Sequence, residues 1–128
     1  MNSKYIKEAK IKEGQNDLKG AIMLYKKSLE ENPGDMSLQI EIGNLLATIG
    51  DFEEAAGFFR RANRYYPNNK NIKNALGFCL CSMGNTYQLN RKYELAESAF
   101  EEALEFEADK LWNHQLKNPD RQYLKWTQ

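Results

Sequence analysis

Apolar and small residues recur along this chain at the spacing of amphipathic helices, and the pattern itself repeats. The segments Asp17–Asp35 and Asp51–Asn69 align without a gap at an offset of 34 residues. Each predicts a turn, an amphipathic helix with small residues at its packing points, and a proline that ends the helix. The matching pairs are Ala21 with Ala55, Tyr25 with Phe59, and Pro33 with Pro67. A repeat of this period indicates one supersecondary unit stacked on copies of itself.

A third copy of the pattern is displaced by seven further residues. The matching pairs, now 41 positions apart, are Ala55 with Ala96, Phe59 with Phe100, and Ala62 with Ala103. If the extra residues lay in the turn, Gly77 would match Gly43; if they lay before the repeat, Gly84 would match it. The second alignment runs to Asp109 without another gap and is the better one. It makes Lys70–Leu76 an insert that lengthens the first helix of the third pair.

Seven residues are nearly two helical turns, so the insert keeps the apolar stripe almost in phase. The stripe follows the spacing of a helix face turned toward a core. Its members are Ile72, Leu76, Cys79, Leu80, Met83 and Tyr87. The sequence therefore predicts one continuous helix from near Lys70 to near Asn90.

Small residues at fixed places explain how two helices of a pair can approach closely. Gly43 and Gly84 lie inside predicted helices, where glycine costs about 1 kcal/mol relative to alanine, so both imply a packing reason. Gly50 favours the turn after the first helix, and Asp51 can cap the second. Arg91 and Lys92 replace that Gly-Asp pair in the third copy, which predicts a less regular turn near Asn90.

These residues resemble a tetratricopeptide repeat (TPR), a helix–turn–helix unit. The resemblance rests on Ile42-Gly43, Gly50-Asp51-Phe52, Glu54-Ala55, Phe59, Ala62 and Pro67. It implies an all-α fold, an α-α superhelix of three repeats with a C-terminal cap, in one domain of residues 1–128. The expected repeats cover about 2–35, 36–69 and 77–110, with the insert at 70–76 and the cap at 111–128. Asn118-Pro119 is a helix-start signal in that cap.

Charge and hydropathy narrow the class of protein. Eighteen basic and eighteen acidic residues give a net charge of zero, which argues against a nucleic-acid-binding domain. Residues 1–27 hold seven lysines against three acids, whereas residues 93–109 hold seven acids and no base. No apolar run reaches the length of a membrane span. The N-terminal sequence lacks the apolar core of a secretion signal, so we expect a cytoplasmic protein that binds neither membrane nor nucleic acid.

Signals of catalysis are thin. His114 is the only histidine and falls in the predicted cap. Cys79 and Cys81 are two residues apart on a predicted helix and point to different faces, so they favour reduced, structural roles. The sequence holds no phosphate-binding glycine loop and no nucleophile motif. We therefore expect no enzyme, no cofactor and no metal.

In proteins of the TPR family the first helix of each pair lines a concave groove. The resemblance places an expected partner-binding set there: Ile6, Lys10, Ile40, Asn44, Phe78, Cys81, Asn85 and Gln88. Apolar residues would form a ladder, and Asn44 and Asn85 are matched amides that could hold a peptide backbone. Alternatively, the C-terminal helices fill the groove. The carboxylate clamp of some TPR domains is not expected, because only Lys10 has a suitable charge and Glu41 is repulsive.

The expected function is protein–protein interaction, with a peptide or helix of a partner protein bound in the groove. Two alternatives stay open. One is a secretion-type chaperone that cradles an unfolded segment of its partner. The other is a structural or regulatory scaffold that stacks end to end as a weak homo-oligomer.

Overall fold

The computed structural model describes the backbone of residues 3–117 and the side chains of residues 4–106. Within this part of the chain there are six α-helices and no strand, which confirms the all-α fold. The helices are α1 (Ser3–Gly14), α2 (Leu18–Glu31), α3 (Met36–Thr48), α4 (Phe52–Tyr65), α5 (Lys70–Leu89) and α6 (Tyr93–Lys117).

The helices form three hairpins, α1–α2, α3–α4 and α5–α6. Short turns join the partners and make them antiparallel. The second helix of each hairpin packs on the first helix of the next, α2 on α3 and α4 on α5, and α3 also meets α5. One apolar core runs through the stack between the two layers of helices. Its largest fully buried side chains are Phe59, Ile42, Leu76, Leu80 and Cys79.

Side chains at the helix starts account for the boundaries of four helices. The carboxylates of Asp17, Asp35 and Asp51 accept hydrogen bonds from the backbone N–H groups three residues further on, and the Asn69 amide oxygen does the same for Ile72. Such caps satisfy N–H groups that have no partner within the helix. α6 follows Lys92, whose side chain has no acceptor oxygen for this task.

The turns within the three hairpins share one backbone conformation. Asn16, Gly50 and Arg91 all have positive φ angles, of 61°, 88° and 62°. In each turn the next residue donates its N–H to the carbonyl five positions earlier, as in Lys92 to Tyr87 at 2.8 Å. The prediction of a less regular turn near Asn90 is therefore wrong. The hydrogen bonds that close the helix end set the backbone, and Arg91 adopts a conformation that glycine would adopt without strain.

The predicted continuous helix across the insert is present as α5. It has 20 residues, whereas its counterpart α3 has 13. α6 is also long and continues through the predicted repeat boundary at residue 110 to Lys117. The predicted helix start at Asn118-Pro119, and the rest of the predicted cap beyond Lys117, lie outside the described residues.

Glycines mark the closest approach of the helices in two hairpins. A Cβ atom added to Gly43 would lie 3.0 Å from the ring of Phe59, and one added to Gly84 would lie 2.6 Å from the ring of Phe100. Both pairs are sixteen residues apart, so the two hairpins have the same internal register. The aromatic ring lies where an alanine side chain would need to be, which is the packing reason that the sequence implied.

The alignment of the second hairpin with the third differs from the alignment of the first with the second. Lys26 of α2 forms an ion pair with Glu54 of α4, and Arg60 of α4 forms one with Glu102 of α6. Lys26 and Arg60 are matching repeat positions, but the match of Glu54 in α6 is Leu95. The acidic partner in α6 is thus seven residues further along its helix.

The third hairpin is therefore displaced, in the direction of its helix axes, relative to the second hairpin. Seven helical residues correspond to about 10 Å. α3 and α5 start at similar levels, and the extra length of α5 carries its C-terminal turns and the start of α6 beyond the α3–α4 turn. At the projecting tip, Leu89 is 84% exposed and Tyr93 is 62% exposed.

Candidate functional site

The expected partner-binding residues lie on the first helices of the three hairpins, but their environments differ. Lys10, Asn44, Phe78, Cys81, Asn85 and Gln88 are exposed. Ile6 and Ile40 are partly buried and pack against the core. The apolar ladder is therefore not continuous, since two of its members already stabilise the stack from within. We call the exposed surface of α1, α3 and α5 the first-helix face.

Phe78 is the main apolar group on this face. Its side chain is 60% exposed, and its ring meets the ring of Phe52 edge to face at a centroid distance of 5.6 Å. Phe52 is the first residue of α4 and packs against the core. The contact holds one side of the Phe78 ring and leaves the rest open to a partner.

The displacement of the third hairpin changes which residues of the face are neighbours. Asn44 and Asn85 match in the register within hairpins, yet between hairpins it is Phe78 that stands level with Asn44. Asn85 lies two turns further along α5, about 10 Å away along the helix axis. The two amides are therefore not side by side, because Phe78 rather than Asn85 lies across from Asn44.

Charged residues dominate the N-terminal part of the first-helix face. The Tyr25 hydroxyl donates a hydrogen bond to Glu13 at 2.5 Å, and burial, with the Glu13 carboxylate, raises the pKa of Tyr25. Burial also raises the pKa of Glu41, and the neighbouring Glu13 carboxylate adds to this effect, whereas the Lys10 ammonium opposes it. This end of the face therefore presents Lys10 beside two carboxylates and is a poor place for an anion.

A cleft that the sequence did not reveal lies where the α3–α4 turn meets α5. Its volume is about 210 Å³. It is lined by Gly50, Asp51, Phe52, Glu53, Met83, Thr86 and Tyr87. The Tyr87 hydroxyl donates to Glu53 across one edge at 3.4 Å. The cleft exists because α5 continues past the α3–α4 turn. An alignment of α5 with α3 by the register between hairpins, rather than by the register within each hairpin, could have revealed it from the sequence.

Few of the described side chains could take part in covalent or metal chemistry. Among their side chains no cluster of histidine, cysteine, aspartate or glutamate could hold a metal ion. Cys79 is buried and Cys81 is exposed, and burial raises the pKa of Cys79 to about 11, which keeps it a thiol at neutral pH. The side chain of His114 lies outside the described residues. No described helix combines the length and the hydropathy of a membrane span.

Three stacked antiparallel hairpins, with glycine and alanine at the crossings, define a helical repeat protein. Two family models, each described as Tetratricopeptide repeat, match residues 13–77 and 79–110. The chain therefore belongs to the tetratricopeptide repeat family. Repeats of this family are in general protein–protein interaction modules and typically have no catalytic activity of their own. A comparison with curated proteins finds no match.

Proposed function

We propose that this protein binds a peptide or helical segment of a partner protein across its first-helix face. The observation that carries the proposal is Phe78, an aromatic side chain of α5 that is 60% exposed on that face. Exposed aromatic groups held by a rigid scaffold are typical anchors of interfaces, because they bury much apolar area with little loss of side-chain freedom.

Polar groups around Phe78 suit a polypeptide. Asn44 and Asn85 are exposed, and each side-chain amide offers both a donor and an acceptor. Such groups can satisfy the N–H and C=O groups of a bound backbone, while the Phe78 ring excludes water from the contact. Asn44 and Phe78 stand level with each other on neighbouring helices, and Asn85 lies about 10 Å further along α5, which favours an elongated ligand over a compact one.

Self-assembly by end-to-end stacking finds less support in the structure. In the second hairpin, Leu38 and Ile42 are buried. At the matching positions of the first hairpin stand Lys4 and Glu8, and both are exposed. A further hairpin stacked on that end would bury two charged groups, which is costly unless each finds a partner.

Selection of peptide ligands tests the proposal. A random peptide library displayed on phage is selected against the protein, and enriched peptides are then synthesised and titrated by fluorescence anisotropy. We expect Phe78→Ala to weaken binding by about tenfold or more, as for a central anchor. The matched control is Met23→Ala, because Met23 on α2 is 62% exposed but lies away from the first-helix face.

The outcome separates the functions considered. Enriched peptides with a shared sequence pattern support an adaptor, whereas many unrelated apolar peptides with similar affinities support a chaperone that holds unfolded segments. If Phe78→Ala and Met23→Ala bind selected peptides as tightly as the unmodified chain, the first-helix face is not the binding surface.

A further inference from the structure

The cleft between the α3–α4 turn and α5 combines an apolar lining with two carboxylates. Phe52 and Met83 are partly buried and pack against the core, so they offer fixed apolar surface. Asp51 and Glu53 are exposed and line the same cleft. A cleft of this composition suits a group that is apolar along its length and positively charged at its end.

Positive charge already near the cleft is committed elsewhere. The Arg60 guanidinium is close enough to influence Glu53 and Tyr87, but its Nε and a terminal nitrogen donate to the two oxygens of Glu102 at 2.6 and 2.8 Å. Such a two-point bond fixes the guanidinium plane toward α6. Partial burial raises the pKa of the Tyr87 hydroxyl, and the Glu53 carboxylate adds to this effect, whereas the Arg60 guanidinium opposes it.

The cleft is connected to the first-helix face through one side chain. Phe52 lines the cleft and also touches the exposed ring of Phe78. A ligand that covers Phe78 could therefore extend a neighbouring side chain over Phe52 into the cleft. Phe78 and the cleft would then bind two neighbouring side chains of one peptide.

We infer that the cleft is a specificity pocket for an arginine side chain of the bound peptide, next to an apolar residue that covers Phe78. The inference rests on the proposed function, since it supplies the chemistry of the partner. Arginine fits because its planar guanidinium pairs with carboxylates through two hydrogen bonds and stacks on aromatic rings. An acidic or phosphorylated side chain would be repelled, and an apolar one would strip water from Asp51 and Glu53 without compensation.

The test uses a short probe and observes the cleft directly. The tripeptide acetyl-Leu-Arg-Leu-amide is titrated into ¹⁵N-labelled protein to about 10 mM, the range needed for a ligand of millimolar affinity. The comparison probe contains citrulline, which has the shape of arginine but no charge. We expect chemical-shift changes at the amides of Gly50, Glu53, Thr86 and Tyr87, and about tenfold weaker binding of the citrulline probe.

Variants separate charge from shape. Asp51→Asn combined with Glu53→Gln removes both charges, while asparagine retains the capping oxygen that α4 needs. It should reduce binding of the arginine probe to the level of the citrulline probe, with an unchanged melting temperature. Glu30→Gln combined with Glu31→Gln is the matched control, because it changes net charge equally at exposed positions of α2.

Each result bears on one of the two proposals. Shift changes confined to Asn44, Phe78 and Asn85, with equal affinity for both probes, would overturn the arginine pocket and leave the peptide-binding face standing. No shift change at the cleft amides at the highest concentration would also overturn the pocket. Shift changes at the cleft that persist in the doubly neutralised variant would show that charge is not what the cleft recognises.

Discussion

Single residues in this chain show which packing roles a repeat sequence reveals and which it does not. The roles of Gly43 and Gly84 follow from glycine inside a helical pattern, and the aromatic rings beside them explain both. The backbone at Arg91 did not follow from residue preference, because the hydrogen bonds of the helix end override the preference of one side chain. The level of Phe78 beside Asn44 could not be read from the stripe pattern either, since it depends on how neighbouring hairpins are displaced.

Substitution of the matched aromatic residues tests the packing at this scale. Phe59 is 1% exposed, whereas Phe100 is only partly buried. We expect Phe59→Ala to lower the free energy of unfolding by about 3–5 kcal/mol, because it leaves a cavity. Phe100→Ala should cost about half as much, because less of its area leaves water on folding. Urea denaturation measures both, and equal costs would contradict the difference in packing.

The turn at Arg91 predicts stabilisation by glycine. Arg91→Gly should raise the free energy of unfolding by about 1 kcal/mol, because φ is positive at this position and glycine adopts it without strain. Arg64→Gly, in the last turn of α4 where φ is not positive, is the control and should destabilise the protein slightly. A lower melting temperature for Arg91→Gly would mean that the side chain contributes more than the backbone strain costs.

The environment of Glu41 predicts a pH dependence. Its pKa in the folded protein is raised above 4.5, so the folded state binds this proton more tightly than the unfolded state does. The contribution of Glu41 to stability is therefore greatest below its unfolded pKa and declines as the pH rises through the raised folded value. Glu41→Gln should remove this decline and stabilise the protein at pH 7, whereas Glu30→Gln, which is exposed, should not. Thermal melts across the pH range would contradict the account if both variants followed the unmodified chain.

At the scale of helices, periodicity predicted the hairpins and the unbroken α5 well, because both depend on contacts between residues close in sequence. The displacement between hairpins was not predicted. A seven-residue insert preserves the helical phase. The apolar stripe of α5 is therefore the same whether the two extra turns extend its N-terminal end or its C-terminal end. The ion pairs resolve this, since Arg60 meets Glu102 rather than a residue at the level of Leu95.

A double-mutant cycle tests that register. Arg60→Ala and Glu102→Ala should show a coupling of about 0.5–1 kcal/mol, the range for a partly exposed pair. Arg60→Ala with Glu97→Ala is the control and should show a coupling near zero, because Glu97 lies more than a helical turn from Glu102. Coupling to Glu97 instead of Glu102 would contradict the displaced register of α6.

At the scale of the whole molecule, the three hairpins present two unlike ends and one continuous first-helix face. Polar residues on the first hairpin shield the N-terminal end, and the projecting third hairpin forms the cleft at the side of the face. Apolar and amide groups lie around Phe78, where the second and third hairpins meet. This arrangement is the basis on which we propose that a partner peptide binds the first-helix face.

The most direct test of peptide binding is to map a selected peptide onto the ¹⁵N spectrum of the protein. We predict that a saturating peptide shifts amide signals along α3 and α5, centred on Asn44, Phe78 and Asn85, and leaves those of α2 unchanged. Shift changes concentrated on α2 and the outer surface of α4, with the signals around Phe78 unmoved, would contradict the account.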